Sequence, residues 1–123
     1  MGVAIYPRIK GVEAAWAIEI SGKLIAANNE RLHQLGKEYG VKDLLEYTVL
    51  SEEEAAELEV PFEERWFHPD EGIAIIDAMM VVVDANPAAF INADGLRADL
   101  DDFKRILQRA KVEERSWNLA MDY

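Results

Sequence analysis

The sequence predicts a small α+β domain in which strands occupy the two ends of the chain and helices lie between them. Apolar and polar residues alternate near both termini, whereas apolar residues recur every three or four positions through the middle. The chain has 123 residues and half of them are hydrophobic, so one domain can bury a core without a disulfide or a metal. We therefore expect a single domain over residues 1–123. Its antiparallel or mixed sheet should include the N- and C-terminal strands and pack against about four helices.

The N-terminal strand is predicted over Val3–Tyr6, and Pro7 is expected to end it because proline has no amide hydrogen to donate to a neighbouring strand. Ala14–Ile20 is a candidate second strand, since alternate residues from Trp16 onward are large and apolar. Its alanines leave a helical turn as the alternative. Two strands alone form a marginal sheet, so this segment or Glu64–Phe67 is expected to add a third.

The first helix is predicted over Lys23–Tyr39, with Gly40 at the position where a left-handed residue ends many helices. Its apolar face is expected to consist of Leu24, Leu32, Leu35 and Tyr39, with Ile25 and Asn28 beside them. Val41–Val49 contains apolar residues that favour burial, but the segment is too short to indicate a helix or a strand. Ser51–Glu54 has the Ser-x-x-Glu pattern of a capping box and starts a second helix, which must end before Pro61.

The third helix opens at His68–Glu71, where proline in the first helical position loses no hydrogen bond and two acids complement the helix dipole. Asn86 and Pro87 end it. Its apolar residues, which lie nearly all round the helix, are Ile73, Ile75, Ile76, Met79, Met80, Val82 and Val83. Such a helix belongs in the centre of a core or at a contact between subunits.

The last helix starts at Asn92–Gly95, and the residues that share its apolar face are Leu96, Leu100, Phe103, Leu107 and Ala110. Acidic residues crowd its first half and basic residues its second half, an order that complements the helix dipole. The range Arg115–Tyr123 alternates in polarity and is predicted as the terminal strand. Trp117, Leu119, Met121 and Tyr123 are expected on one face, and Ser116, Asn118 and Asp122 on the other.

The net charge of −11, from 13 basic and 24 acidic residues, is unevenly distributed. Residues 43–102 carry a net charge of −15, while the segments before and after them each carry +2. Such a field repels phosphates, so we expect neither a nucleic-acid partner nor binding to an anionic membrane surface. The longest apolar run, Ala78–Val83, is too short to span a bilayer, and no secretory signal is visible at the start of the chain. These features predict a cytoplasmic protein.

The densest group of side chains that suit catalysis is the run Trp66–Gly72. In a catalytic interpretation His68 is a general base, and Asp70 or Glu71 orients it or binds a cation, as in a small hydrolase or metal-dependent enzyme. We favour the structural interpretation, in which the aromatic residues pack, His68 occupies the cap position and the acids stabilise the helix start.

Other kinds of chemistry find little support in the sequence. Because the chain contains no cysteine, disulfides, zinc–thiolate sites and cysteine nucleophiles are excluded. His33 is the other histidine of the chain, and no metal-binding spacing connects it with His68. We expect no metal and no cofactor, since the serines lack a nucleophile motif and the glycines are too scattered for a phosphate-binding loop.

The chain resembles small uncharacterised bacterial proteins of unknown function. The resemblance rests on Met1-Gly2 ahead of a strand, on the run Trp66–Gly72, and on the closing helix and strand over Leu96–Tyr123. It covers most of the chain, implies no activity and transfers no functional residue.

The acid-rich run Asp43–Glu64, which holds nine acids and no lysine or arginine, suggests a function in protein binding. We expect it to meet a basic partner, as an immunity or antitoxin-like inhibitor does, with electrostatic attraction speeding the encounter. The candidate contact residues are Glu52, Glu53, Glu57, Glu59, Glu63 and Glu64, and the flanking Tyr47 and Phe62 are either interface anchors or core residues.

Two further alternatives stay open. The acid-rich run is equally the solvated face of an acidic protein. A structural homo-oligomer, such as a homodimer, would instead use the surplus apolar surface of the third helix at Met79–Val83 and the open edge of the terminal strand.

Overall fold

The computed structural model describes residues 4–11, 21–49, 52–62 and 65–122. Within them the strands are β1 (Ala4–Ile9) and β2 (Trp117–Asp122), and the α-helices are α1 (Lys23–Gly36), α2 (Glu52–Glu57), α3 (Pro69–Ala85) and α4 (Ala93–Val112). Short 3-10 helices cover Lys37–Tyr39, Leu44–Tyr47 and Pro87–Ala89. The predicted α+β class is confirmed, because β1 and β2 form an antiparallel sheet beside the helices. The expected strand Ala14–Ile20 lies outside the described residues.

Strand β1 continues through Pro7, so the prediction that this proline ends the strand was wrong. The two strands pair from Ala4 opposite Asp122 to Ile9 opposite Trp117. The Ile5 amide donates to the Gly22 carbonyl at 3.0 Å, on the edge of β1 that faces away from β2. Backbone directions alternate along a strand, so the Pro7 nitrogen also lies on this outer edge, where it removes no hydrogen bond between β1 and β2.

The other edge of β2 is partly covered by two more segments. Phe67 and Trp117 exchange backbone hydrogen bonds of 2.8 and 2.9 Å in an antiparallel bridge, and Thr48 forms a parallel bridge with Leu119. The candidate third strand Glu64–Phe67 thus contributes a bridge at Phe67, while Glu64 lies outside the described residues. From Trp117 to Leu119, the terminal strand is not the open edge that the homo-oligomer hypothesis requires.

Helix α3 lies at the centre of the core, and α1 and α4 pack against it. Its buried residues are Pro69, Gly72, Ile75, Ile76, Met79, Met80, Val82 and Val83. Val81, by contrast, is exposed. The apolar surface all round this helix is therefore covered mainly by the rest of the chain, as the first of the two sequence interpretations expected.

Trp117 is the largest fully buried side chain and connects β2 to the start of α3. Its ring stacks on Tyr47 with centroids 5.1 Å apart and meets the ring of Phe103 edge to face at 5.9 Å. Its indole N–H donates to the His68 carbonyl at 3.0 Å. Gly72 lies against the indole so closely that a Cβ atom there would come within 2.6 Å of the ring. A small residue is therefore required at this contact.

The buried face of α1 differs from the predicted one and consists of Ile25, Asn28, Leu32 and Gly36. Tyr39, expected in the apolar stripe, is about half exposed at 47%. Asn28 is buried because its amide pairs with the backbone of Ile91, donating to the carbonyl at 3.1 Å and accepting from the N–H at 2.8 Å. The Asn28 side chain thereby satisfies the backbone N–H and carbonyl of Ile91, which lies in the loop before α4.

The N-terminus of α1 is capped by another helix. Gly22, the residue before α1, has a φ of 68° and no side chain with which to cap. Asp99 of α4 accepts a hydrogen bond from the Leu24 amide at 3.2 Å in its place. Burial raises the pKa of this carboxyl above its ordinary value, and the hydrogen bond from Leu24 partly opposes that rise. In the part of the chain that the structure describes, no helix is long and apolar enough to cross a membrane.

Candidate functional site

His68 occupies the cap position of α3, where the sequence interpretation placed it. Its Nδ1 atom accepts a hydrogen bond from the Asp70 amide at 3.1 Å, while its carbonyl accepts from the Trp117 indole. One imidazole nitrogen is thus used to satisfy the helix start, and its side chain is otherwise exposed. The geometry gives His68 a structural role at the junction of α3 and β2.

The structure brings Asp70 close to His68 but turns Glu71 towards another part of the surface. The Asp70 carboxylate lies 2.8 Å from the Lys111 ammonium and 3.6 Å from His68 Nδ1. The hydrogen bond from Lys111 lowers the pKa of Asp70. Glu71 instead lines a cleft that also contains Tyr47. The three candidate catalytic residues therefore do not converge on one substrate position.

His33, the other histidine, lies 3.8 Å from Asp43, whereas His68 is paired with Asp70. Across the four described stretches of chain, no group of three or more histidine, aspartate or glutamate side chains is arranged to hold a metal ion. A depression of about 390 Å³ next to His68 is lined by Pro69, Lys111, Glu114, Arg115 and Ser116.

The acidic segment, which we define as residues 52–62, comprises α2 and the turn that follows it. The glutamates predicted to contact a partner and placed here are Glu52, Glu53, Glu57 and Glu59, all of them exposed. Lysines, arginines and histidines of the described chain form no ion pair with these four, although they do so with several aspartates elsewhere. The remaining two candidates, Glu63 and Glu64, lie outside the described residues.

The same segment exposes apolar side chains that its position in the fold leaves uncovered. Leu58 is 62% exposed, Val60 43% and Phe62 47%, while Ala55 is the one residue of α2 that is buried. The turn is formed by hydrogen bonds from Glu59 to Ala56 and from Val60 to Ala55, with Glu59 at a φ of 55°. Sequence reasoning considered Phe62 but missed Leu58 and Val60. No periodic pattern identifies them, because Glu59 between them adopts a left-handed conformation in the turn, and their exposure depends on the tertiary structure.

A basic and aromatic cluster accounts for part of the positive charge at the ends of the chain. The Arg8 guanidinium lies 5.2 Å from the ring centre of Trp66, and the Lys10 ammonium lies 6.0 Å from it. Arg8 also donates to the buried Asn118 amide oxygen at 2.9 Å, and Asn118 donates to the Arg65 carbonyl at 3.0 Å. This cluster attaches the segment before α3 to the sheet through cation–π contacts and hydrogen bonds.

A second candidate site is the α3 cleft, a depression of about 270 Å³ between α3 and residues 40–47. Its lining residues are Gly40, Val41, Lys42, Tyr47, Glu71, Ala74, Ile75 and Ala78. Burial raises the pKa of the Tyr47 phenol; the positive charge of Lys42 opposes that rise and the negative charge of Glu71 adds to it. Both charged groups therefore lie near the phenol. Sequence reasoning assigned no function to Lys42, because the α3 residues that line the cleft with it are distant in sequence.

Comparisons of this chain with protein-family models, with curated proteins and with solved structures find no match. The functional interpretation consequently rests on the residues of the two surfaces, the acidic segment and the α3 cleft.

Proposed function

We propose that the chain is a protein-binding module whose acidic segment docks against the basic surface of a partner protein. The observation that carries the proposal is the juxtaposition, within residues 52–62, of four glutamates that form no ion pair with a described residue and three exposed apolar residues. A solvated acidic face needs no such apolar residues, whereas an interface commonly combines an apolar centre with a charged rim.

The two kinds of side chain contribute differently to this association. Leu58, Val60 and Phe62 would lose water contact on docking and so provide most of the affinity. The glutamates would attract basic groups during the encounter and disfavour acidic competitors, which affects the association rate and specificity more than the affinity. A positively charged protein is the class of partner that this combination fits. Inhibition of a basic protein in the cytoplasm, in the manner of an immunity protein or antitoxin, is the form of the proposal that we favour.

The alternatives lose the observations that motivated them. The homo-oligomer hypothesis depended on surplus apolar surface at Met79–Val83, but Met79, Met80, Val82 and Val83 are buried within the chain. The hydrolase hypothesis depended on His68 as a general base with Asp70 or Glu71. His68 Nδ1 instead accepts a hydrogen bond from the Asp70 amide, the Asp70 carboxylate pairs with Lys111, and Glu71 lines a different cleft.

The proposal is tested by affinity capture with the whole chain from a lysate of its native cells, followed by mass spectrometry. The acidic variant replaces Glu52, Glu53, Glu57 and Glu59 by glutamine. The matched control alters four exposed acids outside the segment, with Glu30, Glu38 and Glu114 replaced by glutamine and Asp94 by asparagine. Both variants change the net charge by the same amount, so a difference between them reports the position of the charge.

We expect a basic protein that is retained by the unaltered chain and the control but lost from the acidic variant. Its retention should fall sharply between about 0.05 and about 0.5 M salt, since screening weakens exposed charge interactions. A second variant, Leu58→Ser with Phe62→Ser, should lose the partner at both salt concentrations. Recovery of no basic protein at low salt, or equal recovery by the acidic variant and the control, would contradict the proposal.

A further inference from the structure

The α3 cleft shares no lining residue with the acidic segment. Its shape follows from small residues on α3. Ala74 and Ala78 are one helical turn apart and both line the cleft, so neither fills the space beside the helix. The opposite wall is formed by the backbone turn at Gly40, whose φ is 71°, and by the Val41 side chain. The volume of about 270 Å³ lies just below the range of roughly 300–1,000 Å³ that drug-sized ligands occupy. It suits a molecule of modest size.

Two opposite charges line this cleft and do not neutralise each other. Lys42 and Glu71 are not within ion-pairing distance of one another, and the described residues provide no other ion-pair partner for either. An ion pair at a protein surface has its nitrogen and oxygen within about 4 Å. Lys104 and Asp77 form such a pair here, with 2.7 Å between the ammonium and the carboxylate. The unpaired arrangement leaves a cation and an anion available to a ligand at the same cleft.

The Tyr47 phenol adds a hydrogen-bonding group to the cleft. Its ring is held rigidly by stacking on Trp117 and by an edge contact with Phe67, with centroids 5.1 and 4.6 Å apart. Only 5% of the Tyr47 surface is exposed to solvent. Its hydroxyl makes no hydrogen bond to any described residue. A hydroxyl held in a fixed position in the cleft, with no hydrogen bond to a described residue, is suited to orienting a polar ligand.

We propose that the α3 cleft binds an apolar α-amino acid in its zwitterionic form. The ligand's ammonium would pair with Glu71, and its carboxylate would pair with Lys42 and accept a hydrogen bond from the Tyr47 hydroxyl. Its apolar side chain would lie against Val41, Ala74, Ile75 and Ala78. A singly charged ligand would leave one of the two protein charges opposed or unpaired, so the cleft favours a molecule that carries both charges.

The test is a titration of the isotopically labelled whole chain with L-leucine, followed by amide chemical shifts. We expect saturable shifts at residues 40–47 and 71–78. Leucinamide lacks the carboxylate and 4-methylpentanoate lacks the ammonium, so each should bind at least about tenfold more weakly than leucine, a loss of roughly 1.4 kcal/mol. Glycine, which has no side chain to bury, should also bind more weakly. Absence of saturable shifts up to about 10 mM leucine would overturn the proposal.

Substitutions in the cleft provide an independent readout. Lys42→Met and Glu71→Gln should each weaken leucine binding about tenfold, and Ala78→Leu should abolish it by filling the cleft. The matched controls Lys37→Met and Glu38→Gln change the same residue types outside the cleft and should leave the affinity unchanged. Equal binding by the cleft variants and the controls, or equal affinities for leucine and 4-methylpentanoate, would refute the assignment. Lys42→Met and Glu71→Gln alter exposed side chains, so they keep the test valid if Ala78→Leu does not fold.

Discussion

The acidic segment and helix α3 begin with the same signals and end in opposite environments. Each has acidic residues in its first turn: Glu52, Glu53 and Glu54 in α2, and Asp70 and Glu71 in α3. In α3 most of the large apolar residues that follow are buried, whereas α2 buries Ala55 and the residues after it expose Leu58 and Phe62. Acids at a helix start therefore indicate where a helix begins but not how much of it enters the core.

Coverage by neighbouring elements distinguishes a segment that belongs to the core from one whose apolar side chains remain exposed. Helix α3 meets α1, α4 and Trp117, so most of its large apolar side chains are covered by a neighbouring element. The acidic segment has apolar residues but too few neighbours to cover them. Substitutions at four places in the fold sharpen this contrast, and they follow in order of decreasing expected change in stability.

Trp117→Ala should have the largest effect, lowering the free energy of unfolding by about 3–5 kcal/mol. The substitution leaves a cavity among Tyr47, Phe67 and Phe103 and removes the hydrogen bond to the His68 carbonyl. Urea unfolding followed by circular dichroism measures the loss. A reduction below about 1 kcal/mol would show that this aromatic contact does not hold β2 to the start of α3.

Gly72→Ala should lower stability by about 1–3 kcal/mol, because the added Cβ would come within 2.6 Å of both Trp117 and Leu107. The sign of the change makes the test sharp. An alanine in place of glycine inside a helix normally stabilises the protein by about 1 kcal/mol. An increase in the melting temperature would therefore contradict the close packing of α3 against β2.

Asp99 provides a test of the cap that α4 supplies to α1. Asp99→Ala removes the acceptor for the Leu24 amide and should cost about 0.5–2 kcal/mol at neutral pH, whereas Asp99→Asn retains an acceptor oxygen. Because burial raises the pKa of Asp99 in the folded state above its ordinary 3.8, the folded protein binds this proton more tightly than the unfolded chain does. The unaltered protein should therefore gain stability relative to Asp99→Asn as the pH falls from neutral towards that value.

Denaturation of both proteins at a series of pH values measures this difference directly. Contributions from other titrating groups, including Asp70 with its lowered pKa, are shared by the two proteins and cancel in the comparison. A difference in stability that stays constant with pH, or that moves against the unaltered protein on acidification, would rule out a buried carboxylate at this cap.

Leu58→Ser combined with Phe62→Ser should have the smallest effect, within about 0.5 kcal/mol of the unaltered stability, because both side chains are largely exposed. The same variant is expected to lose the proposed partner. Substitution in the acidic segment should therefore affect binding but not stability, whereas substitution at the contacts of α3 should lower stability. A loss above about 2 kcal/mol would show that these residues belong to the core and would remove the basis of the proposed function.

Local signals in the sequence predicted most of the elements correctly. The starts of α3 and α4 follow from caps at His68 and Asn92, each of which accepts a backbone hydrogen bond in the structure. The core face of α4 matches the predicted pattern, and Trp117 and Leu119 of β2 are buried, although Asn118 between them is buried as well. These predictions succeed because caps act within one turn and because the periods of helices and strands depend only on backbone geometry.

The candidate site was predictable only in part, because each of its properties depends on residues distant in sequence. Charge counting identified the acidic segment, but the exposure of Leu58 and Val60 depends on which elements fail to cover them. The α3 cleft combines Lys42, Tyr47 and Glu71, which come from separate elements and share no motif. The grouping of Asp70 with Glu71 was suggested by their adjacency in sequence, yet successive helical residues point in different directions, and Glu71 lines the α3 cleft while Asp70 lies near His68.

The sequence by itself therefore determined the α+β class, the places where helices begin and the concentration of negative charge between residues 43 and 102. Tertiary structure decided that β1 continues through Pro7, that Asn28 belongs in the core and that Asp99 caps a different helix. The two sets of features differ in the sequence separation of the residues that interact. Backbone periodicity and capping act between near neighbours, whereas burial and hydrogen-bond pairing depend on which distant segments meet when the chain folds.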